Sequence, residues 1–365
     1  MNKQEYIDYL KETSEKVSPV ILEAFKTCED LNENLFKIIM HFVKRRLNKP
    51  LLKPALLRAS YEVCGGKEWG KIIPACAAFE LINISSYQAN SAFDNKLGIL
   101  TDLQKESQFI ASMISREVAF QIIDLMRNDF TNNQLLTIFQ CLAESNRYIY
   151  IAQHWDVNLL VFSRYEQYKD ENKYMEEYIK RCYFGSGIFS GLCAYTGGIL
   201  AGGTNQQLST LKSFGEKYGL ALHMVNDIGD YVPSILGSHV RRDYQDQLSD
   251  FKNGRLTLPL YHFLMHGIPN EVGPILEMLR TKERKNVEED FIFDLFLSTG
   301  SFDFAQNKAN QFMGEAKDIL GSLEKNYAKD ILSVMAGSIR SNKYHYVIRN
   351  KRKKVYSISR YANKK

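Results

Sequence analysis

The stretch "GLALHMVNDIGDYV", residues Gly219–Val232, carries two acids three positions apart, Asp227 and Asp230. An asparagine, Asn226, stands directly before them. Residues four positions apart share one face of an α-helix, so Asn226 and Asp230 point together if the stretch is helical. Carboxylate and amide oxygens are the ligands that Mg²⁺ prefers in proteins. The stretch therefore offers oxygen ligands on one helix face, as one wall of a metal site would.

The rest of the chain favours long helices. Of its eight prolines, none falls between Pro74 and Pro233. Proline breaks the backbone hydrogen bonds of a helix interior, so such a long gap is typical of helical folds. Segments such as "NLFKIIMHFVKRRL" repeat apolar residues every three or four positions. We expect an all-α bundle of ten or more helices, and one domain over residues 1–337.

Composition is that of a soluble globular protein. The 365 residues are 45% hydrophobic and 24% charged. No apolar run approaches the roughly 20 residues that span a bilayer. The first residues, "MNKQEYIDYLKETSEK", lack the apolar core of a signal peptide, so we expect a cytoplasmic protein. The six scattered cysteines form no metal-binding pair, and we expect them to be reduced and buried.

The formal net charge of +5 is unevenly distributed. From Ile331 onward the chain has ten Lys or Arg and no acid, whereas the preceding residues carry 37 basic and 42 acidic groups. Residues 338–365 are therefore expected to form a basic tail. Such a tail suits an anionic membrane surface, although a solvated end that aids solubility explains it equally well. Nothing else in the sequence suggests nucleic acid as a partner.

Several segments together resemble one enzyme family. In chain order they are "CGGKEWGKIIPACAAFELINISSYQANSAFDN", "AQHWD", "GGILAGG", "GLALHMVNDIGDY" and "SDFKNGRLTLPLYHFL". Their order and spacing, from about residue 40 to 330, are similar to those of the trans-polyprenyl diphosphate synthases. The resemblance implies an isoprenoid synthase-type helical bundle around a central apolar cavity. It also implies Mg²⁺, an allylic prenyl diphosphate of C10–C20, and a homodimer or a heterodimer with a prenyltransferase.

The resemblance also supplies candidate site residues. In the family, Mg²⁺ joins the diphosphate to aspartates on two facing helices, and basic side chains complete the site. The matching metal positions are Asn90, Asp94, Asn226, Asp227 and Asp230, of which Asp94 and Asp230 are expected to be catalytic. The alternative is that these residues only line the solvated cavity mouth or cap helices. The matching or neighbouring diphosphate-binding positions are Arg255, Lys252, Lys53, Arg241 and His223. For His223 a buried core histidine is the alternative, and for Lys252 and Arg241 a solvated basic loop.

The sequence departs from the family pattern at charged positions. "NSAFD" and "NDIGD" replace the two aspartate-rich motifs, and the arginine pair expected after the first motif is missing. The isopentenyl diphosphate segment reads "KPLLKP", in which only Lys53 keeps the charge at its matching position. The family's Lys-Thr pair is replaced by Gly185 and Ser186. We therefore expect that this chain does not elongate prenyl diphosphates with isopentenyl diphosphate.

Two functions from different classes remain open. The leading hypothesis is an enzyme that ionises an allylic prenyl diphosphate with Mg²⁺ and then cyclises it or transfers it to another acceptor, as a terpene synthase does. The alternative is a catalytically silent subunit that binds an active prenyl diphosphate synthase and modulates it. A weaker third hypothesis is an isoprenoid-binding protein without chemistry.

Truncation after Gly337 tests the role of the basic tail. We expect unchanged thermal stability and weaker sedimentation with anionic vesicles, because each Lys or Arg near an anionic bilayer contributes about 1 kcal/mol. Neutral vesicles serve as the control. Equal binding of the truncated and full chains to anionic vesicles would reject the membrane contact.

Overall fold

The computed structural model describes residues 1–28, 32–94, 105–232, 248–281 and 287–338. Arg241 and nearly all of the basic tail lie outside these residues. The described part contains fifteen α-helices and no β-strand, which confirms the all-α prediction. The helices are α1 (Lys3–Ala24), α2 (Glu33–Leu47), α3 (Leu52–Val63), α4 (Ile73–Phe93), α5 (Lys105–Gln121), α6 (Asn132–His154), α7 (Glu171–Cys182), α8 (Ile188–Leu200), α9 (Asn205–Asp230), α10 (Ser249–Lys252), α11 (Leu258–His266), α12 (Pro269–Arg280), α13 (Glu289–Ser298), α14 (Ser301–Ile319) and α15 (Tyr327–Ser338).

The long helices begin at residues that satisfy their first backbone N–H groups. Thr131 before α6 and Thr204 before α9 each accept a hydrogen bond from the backbone of a glutamine three positions later, whose side chain binds back. This reciprocal arrangement satisfies two donors that the helix itself leaves unpaired. Two π-helical segments, Trp155–Leu159 and Tyr183–Gly187, directly follow α6 and α7. Such segments are rare and occur frequently at functional sites.

Two helices form the centre of the bundle. Nearly all of α8 is buried, and it packs against α3, α6 and α9. Most of α4 is also buried, and it packs against α1, α3 and α5. A helix that is apolar on all sides belongs in a protein interior. The buried apolar side chains join into one core that extends from Tyr6 to Ala336. In the part of the chain that the structure describes, no helix is both long and apolar enough to cross a membrane.

Small residues set the closest helix approaches. A Cβ added at Gly197 of α8 would lie 2.3 Å from the Leu57 carbonyl oxygen of α3. A Cβ added at Gly215 of α9 would lie 2.4 Å from the Ser190 carbonyl oxygen of α8. Backbone atoms cannot move aside as a flexible side chain can. The "GGILAGG" segment thus forms the tight helix crossing that its small residues indicate.

Substitution of Gly197 by alanine tests this crossing. We expect a loss of about 1–3 kcal/mol in the free energy of unfolding, because the new methyl group overpacks a backbone contact. Gly314 in α14 has no atom within 4 Å of an added Cβ, so Gly314→Ala is the control. It should raise stability by about 0.5–1 kcal/mol through helix propensity. Urea unfolding measures both variants, and equal effects would contradict the packing argument.

Candidate functional site at the ends of α4 and α9

The two aspartate-bearing motifs end two long helices. Asp94 caps α4, and its backbone N–H donates to the Asn90 carbonyl oxygen at 2.8 Å. Asp230 is the last residue of α9. The C-terminus of a helix carries partial negative charge, and the aspartates add to it. This end of the bundle therefore requires cations.

Arg255 supplies one cation, to the first motif. Its Nη2 donates to Asp94 Oδ1 at 2.8 Å, and both side chains are more than nine-tenths buried. Its Nη1 donates to the backbone carbonyl of Asp156. An isolated antiparallel bridge between Val161 and Arg255 fixes the backbone position of the arginine. The guanidinium thus joins the end of α4 to the π-helical segment after α6.

Arg181 of α7 supplies a second cation, to the second motif. Its Nη1 and Nη2 donate to the two carboxylate oxygens of Asp227, at 2.6 and 3.2 Å. Its Nε donates to Asp156 Oδ1 at 2.5 Å. The hydroxyl of Tyr178 donates to Asp227 Oδ2 at 2.8 Å. Burial alone would lower the pKa of Arg181, but Asp156 and Asp227 raise it well above its ordinary value, so the guanidinium stays charged.

The two arginines link both motifs through one aspartate. The contacts run from Asp94 through Arg255 to the Asp156 backbone, and from the Asp156 side chain through Arg181 to Asp227. We call these five residues the charged bridge. Three carboxylates oppose two guanidiniums, so the charged bridge retains one net negative charge. Buried charges are stable only when they are paired and hydrogen-bonded, and the bridge meets that requirement.

His223 stands one helical turn before Asp227, with its Nε2 4.0 Å from Asp227 Oδ1. Burial, and next the charge of Arg181, lower its pKa, while Asp227 opposes the shift. The imidazole is therefore neutral at pH 7. A Cβ added at Gly185 would lie 2.8 Å from the imidazole, so the ring occupies the space beside the position where the family has lysine.

The other candidate residues lie on α4, α9 and α10. Asp230 is buried, and its Oδ2 accepts the backbone N–H of Asp250 at 2.9 Å. Asn226 is exposed and Asn90 is half-buried. Lys252 is half-buried on α10. Burial raises the pKa of Glu289, and the positive charge of Lys252 partly opposes this shift.

Lys53 lies inside the bundle, without a hydrogen bond or ion pair to the charged bridge. Its Nζ donates to Ser190 Oγ at 2.5 Å and lies 5.0 Å from the centre of the Phe189 ring. Its side chain is 4% exposed. Burial lowers the pKa of Lys53 from 10.5 to about 8. The ammonium thus contacts residues of α8, although the sequence placed it in a diphosphate site.

The donor set does not fit the magnesium cluster that the resemblance implies. Mg²⁺ requires oxygen ligands at about 2.1 Å in nearly octahedral geometry. Both oxygens of Asp227 are bound by Arg181, and Asp94 is bound by Arg255. Among the described residues, no three His, Cys, Asp or Glu side chains are grouped so that they could hold a metal ion. A dication beside Asp227 would also adjoin a guanidinium and be repelled by it.

The sequence analysis missed Arg181 and gave Asp156 no role. Asp156 is the last residue of the "AQHWD" segment, which is one of the segments that carry the family resemblance. Arg181 lies four residues before Gly185, one helical turn from the position of the missing lysine. A basic residue at that distance on the same helix is the signal that could have identified it.

Lys53→Met tests the buried ammonium. The folded pKa of about 8 lies below the ordinary value of 10.5, so the unfolded chain binds the proton more tightly. In the wild type, this lysine therefore makes the free energy of unfolding rise with pH between these values. The variant should be more stable at pH 7 by about 1–3 kcal/mol and should lack this part of the rise. Denaturant unfolding at several pH values measures it.

Lys67→Met serves as the control, because Lys67 is exposed on the loop after α3. It should leave both the stability and its pH dependence unchanged. Identical pH profiles for Lys53→Met and the wild type would mean that the ammonium is solvated.

Comparison with proteins of known structure supports the fold. Geranylgeranyl pyrophosphate synthetase from Pyrococcus horikoshii matches with a TM-score of 0.73 at 19% identity, over 94% of this chain and 100% of that one. A polyprenyl synthase from Caulobacter crescentus, solved with calcium and isoprenyl diphosphate, also gives 0.73, at 17% identity over 92% of this chain and 98% of that one. At these identities the likeness concerns the fold.

Sequence comparison identifies the family. Octaprenyl diphosphate synthase from Haemophilus influenzae is 28% identical over 147 residues, which are 40% of this chain and 42% of that protein. The chain thus aligns with less than half the length of this curated relative. The polyprenyl synthetase family model matches residues 101–294, more than half of the chain. This protein therefore belongs to the polyprenyl synthetase family.

Proposed function

We propose that this protein is a non-elongating member of its family that binds an active prenyl diphosphate synthase and modulates it. The observation that carries the proposal is that key charged groups of both implied substrate sites are bound to the chain's own side chains. Lys53 is bound to Ser190, Asp94 to Arg255, and Asp227 to Arg181.

The acceptor site lacks cations that isopentenyl diphosphate needs. Isopentenyl diphosphate needs cations that make charge-assisted hydrogen bonds, each contributing roughly 1.5–3 kcal/mol. In "KPLLKP" only Lys53 matches a cation of the family motif, and it is buried against α8. We therefore expect that this chain does not elongate prenyl diphosphates with isopentenyl diphosphate.

The allylic site has altered aspartate-rich motifs. Ionisation of an allylic diphosphate in this family relies on Mg²⁺ held by the aspartate-rich motifs. Here two asparagines, Asn90 and Asn226, replace the first carboxylate of each motif. Asp94 and Asp227 are engaged by guanidiniums. Loss of charge and internal pairing both favour a silent subunit over a catalytic one.

An exposed apolar surface offers a place for the partner. On α5, Ile110 is 47% and Met113 42% exposed, and Phe109 lies beside them. Ring contacts connect this helix to its neighbours, since Phe93 and Phe109 have centroids 5.9 Å apart, and Phe120 and Phe139 6.2 Å apart. We call the exposed set the apolar face; its residues are Phe93, Phe109, Ile110, Met113, Leu136 and Phe139. Exposed apolar patches on a protein surface mark interaction sites.

The fold indicates which partner suits the apolar face. A chain of the same fold has helices equivalent to α5 and α6, so two such faces can pack around a twofold or pseudo-twofold axis. A catalytically active family member is therefore a suitable occupant, and a second copy of this chain is the alternative. A heterodimer would place a silent site beside an active one.

Reconstitution with a prenyl diphosphate synthase from the same cell tests the proposal. The purified chain, alone and mixed with the synthase, receives C10–C20 allylic diphosphates with Mg²⁺, with and without isopentenyl diphosphate. We expect no consumption of isopentenyl diphosphate by the chain alone, a heterodimer in sedimentation velocity, and an altered product length in the mixture. Elongation by the chain alone would contradict the proposal.

A paired substitution links the modulation to the apolar face. Ile110→Lys with Met113→Lys should abolish the heterodimer and its effect on product length, because two buried charges would lack partners. Ile268→Lys is the control, since Ile268 is 60% exposed on the loop before α12. A mixture in which the double variant still alters product length would exclude the apolar face as the interface.

A second candidate function is supported by the charge that remains. The charged bridge keeps one net negative charge where Asp156 and Asp227 share Arg181, and Asp230 adds another carboxylate at the end of α9. The family relation supports ionisation of a C10–C20 allylic diphosphate, followed by cyclisation or by transfer to an acceptor other than isopentenyl diphosphate. This function would need Mg²⁺, and the aspartates could bind it only if Arg181 and Arg255 released them. Pyrophosphate released by the chain alone in the same assay would favour this function.

A further inference from the structure

Arg181 and Asp227 are the most enclosed members of the charged bridge. The side chain of Arg181 is 6% exposed, and that of Asp227 is 5% exposed. Three elements meet at the guanidinium: α7, which carries it, the π-helical segment of Asp156, and the end of α9. All three guanidinium nitrogens of Arg181 donate hydrogen bonds to carboxylate oxygens.

The surrounding acids require a cation at this position. Asp156 and Asp227 approach the same point from different elements, and two carboxylates in a site of low dielectric repel each other strongly. A charge placed between them removes that repulsion. In proteins such a charge is a metal ion or a basic side chain, and a guanidinium binds a carboxylate with two parallel hydrogen bonds.

The local sequence explains how an arginine reaches this point. Gly185 occupies the position of the family's lysine, and the imidazole of His223 lies where a side chain at 185 would pass. Arg181 lies one helical turn before Gly185. Its side chain is longer than that of a lysine, and its guanidinium donates to Asp227. Tyr178 supports the same carboxylate from the preceding turn of α7.

We propose that Arg181 is a built-in cation that takes the place of a metal ion between Asp156 and Asp227, so that the site is stable without Mg²⁺ and excludes divalent cations. Arg181 is then a specificity-determining residue. Its charge stays paired with both carboxylates permanently, whereas a bound ion would exchange with solvent.

Metal binding tests the proposal directly, without an activity assay. Mn²⁺ is titrated into the full chain and followed by electron paramagnetic resonance, and the melting temperature is measured in MgCl₂ and in KCl of equal ionic strength. The wild type should bind no tight Mn²⁺ and melt equally in both salts. Arg181→Gln should melt lower in KCl, gain stability specifically in MgCl₂, and bind Mn²⁺ at least about ten-fold more tightly than the wild type, a difference of about 1.4 kcal/mol.

Two controls separate metal exclusion from general loss of structure. Arg58→Gln removes a similarly buried arginine that binds Glu12 and Glu62, each at 2.8 Å, and it should be destabilised without rescue by MgCl₂. The double variant Arg181→Gln with Asp227→Asn removes the pair and should show no Mn²⁺ binding.

Three outcomes would overturn the proposal. One is tight Mn²⁺ binding by the wild type that is lost in Asp227→Asn. Another is Arg181→Gln that folds but responds equally to MgCl₂ and KCl. If Arg181→Gln fails to fold in KCl, it is refolded in MgCl₂, and failure there as well would contradict a cation-replacement role.

Discussion

The pairing of Arg181 with Asp156 and Asp227 is the interaction on which the functional end of this protein depends. It places a permanent charge where three helical elements converge, with distances of 2.5 and 2.6 Å to the two carboxylates. Removing either kind of partner would leave an uncompensated buried charge, which is strongly destabilising. The positions of α7, α9 and the Asp156 segment are therefore coupled through electrostatics as well as through packing.

Helix packing places these charged groups at one end of the bundle. The buried helices α4 and α8 hold the centre, and the glycines of α8 and α9 allow the backbones to approach closely. Because α4 and α9 are long, 21 and 26 residues, they carry the two aspartate motifs from the core to a shared edge. The same helix ends add partial negative charge, which Arg181 and Arg255 offset.

Membership of the polyprenyl synthetase family fixes the scaffold, while the charged residues determine what the scaffold does. Several charged residues of the family pattern are missing near the implied substrate sites, and key charged residues that are present bind to the chain's own side chains. Lys53 binds Ser190, Arg255 binds Asp94, and Arg181 binds Asp227. Such a site is closer to a structural ion-pair network than to an open metal centre. The exposed apolar face on α5 and α6 is the complementary feature, a surface suited to association.

The sequence by itself determined the fold and predicted a candidate site. Helical periodicity and the proline gap predicted the all-α bundle, because they depend on local spacing, and the ordered motifs made Asp94, Asp227 and Asp230 candidates. Only the tertiary structure decided the partners of those aspartates. Arg181 and Asp227 are 46 residues apart, and Arg255 and Asp94 are 161 apart, so no local pattern records their contact. Whether a buried carboxylate meets a metal or a guanidinium depends on which distant side chain the packing brings to it.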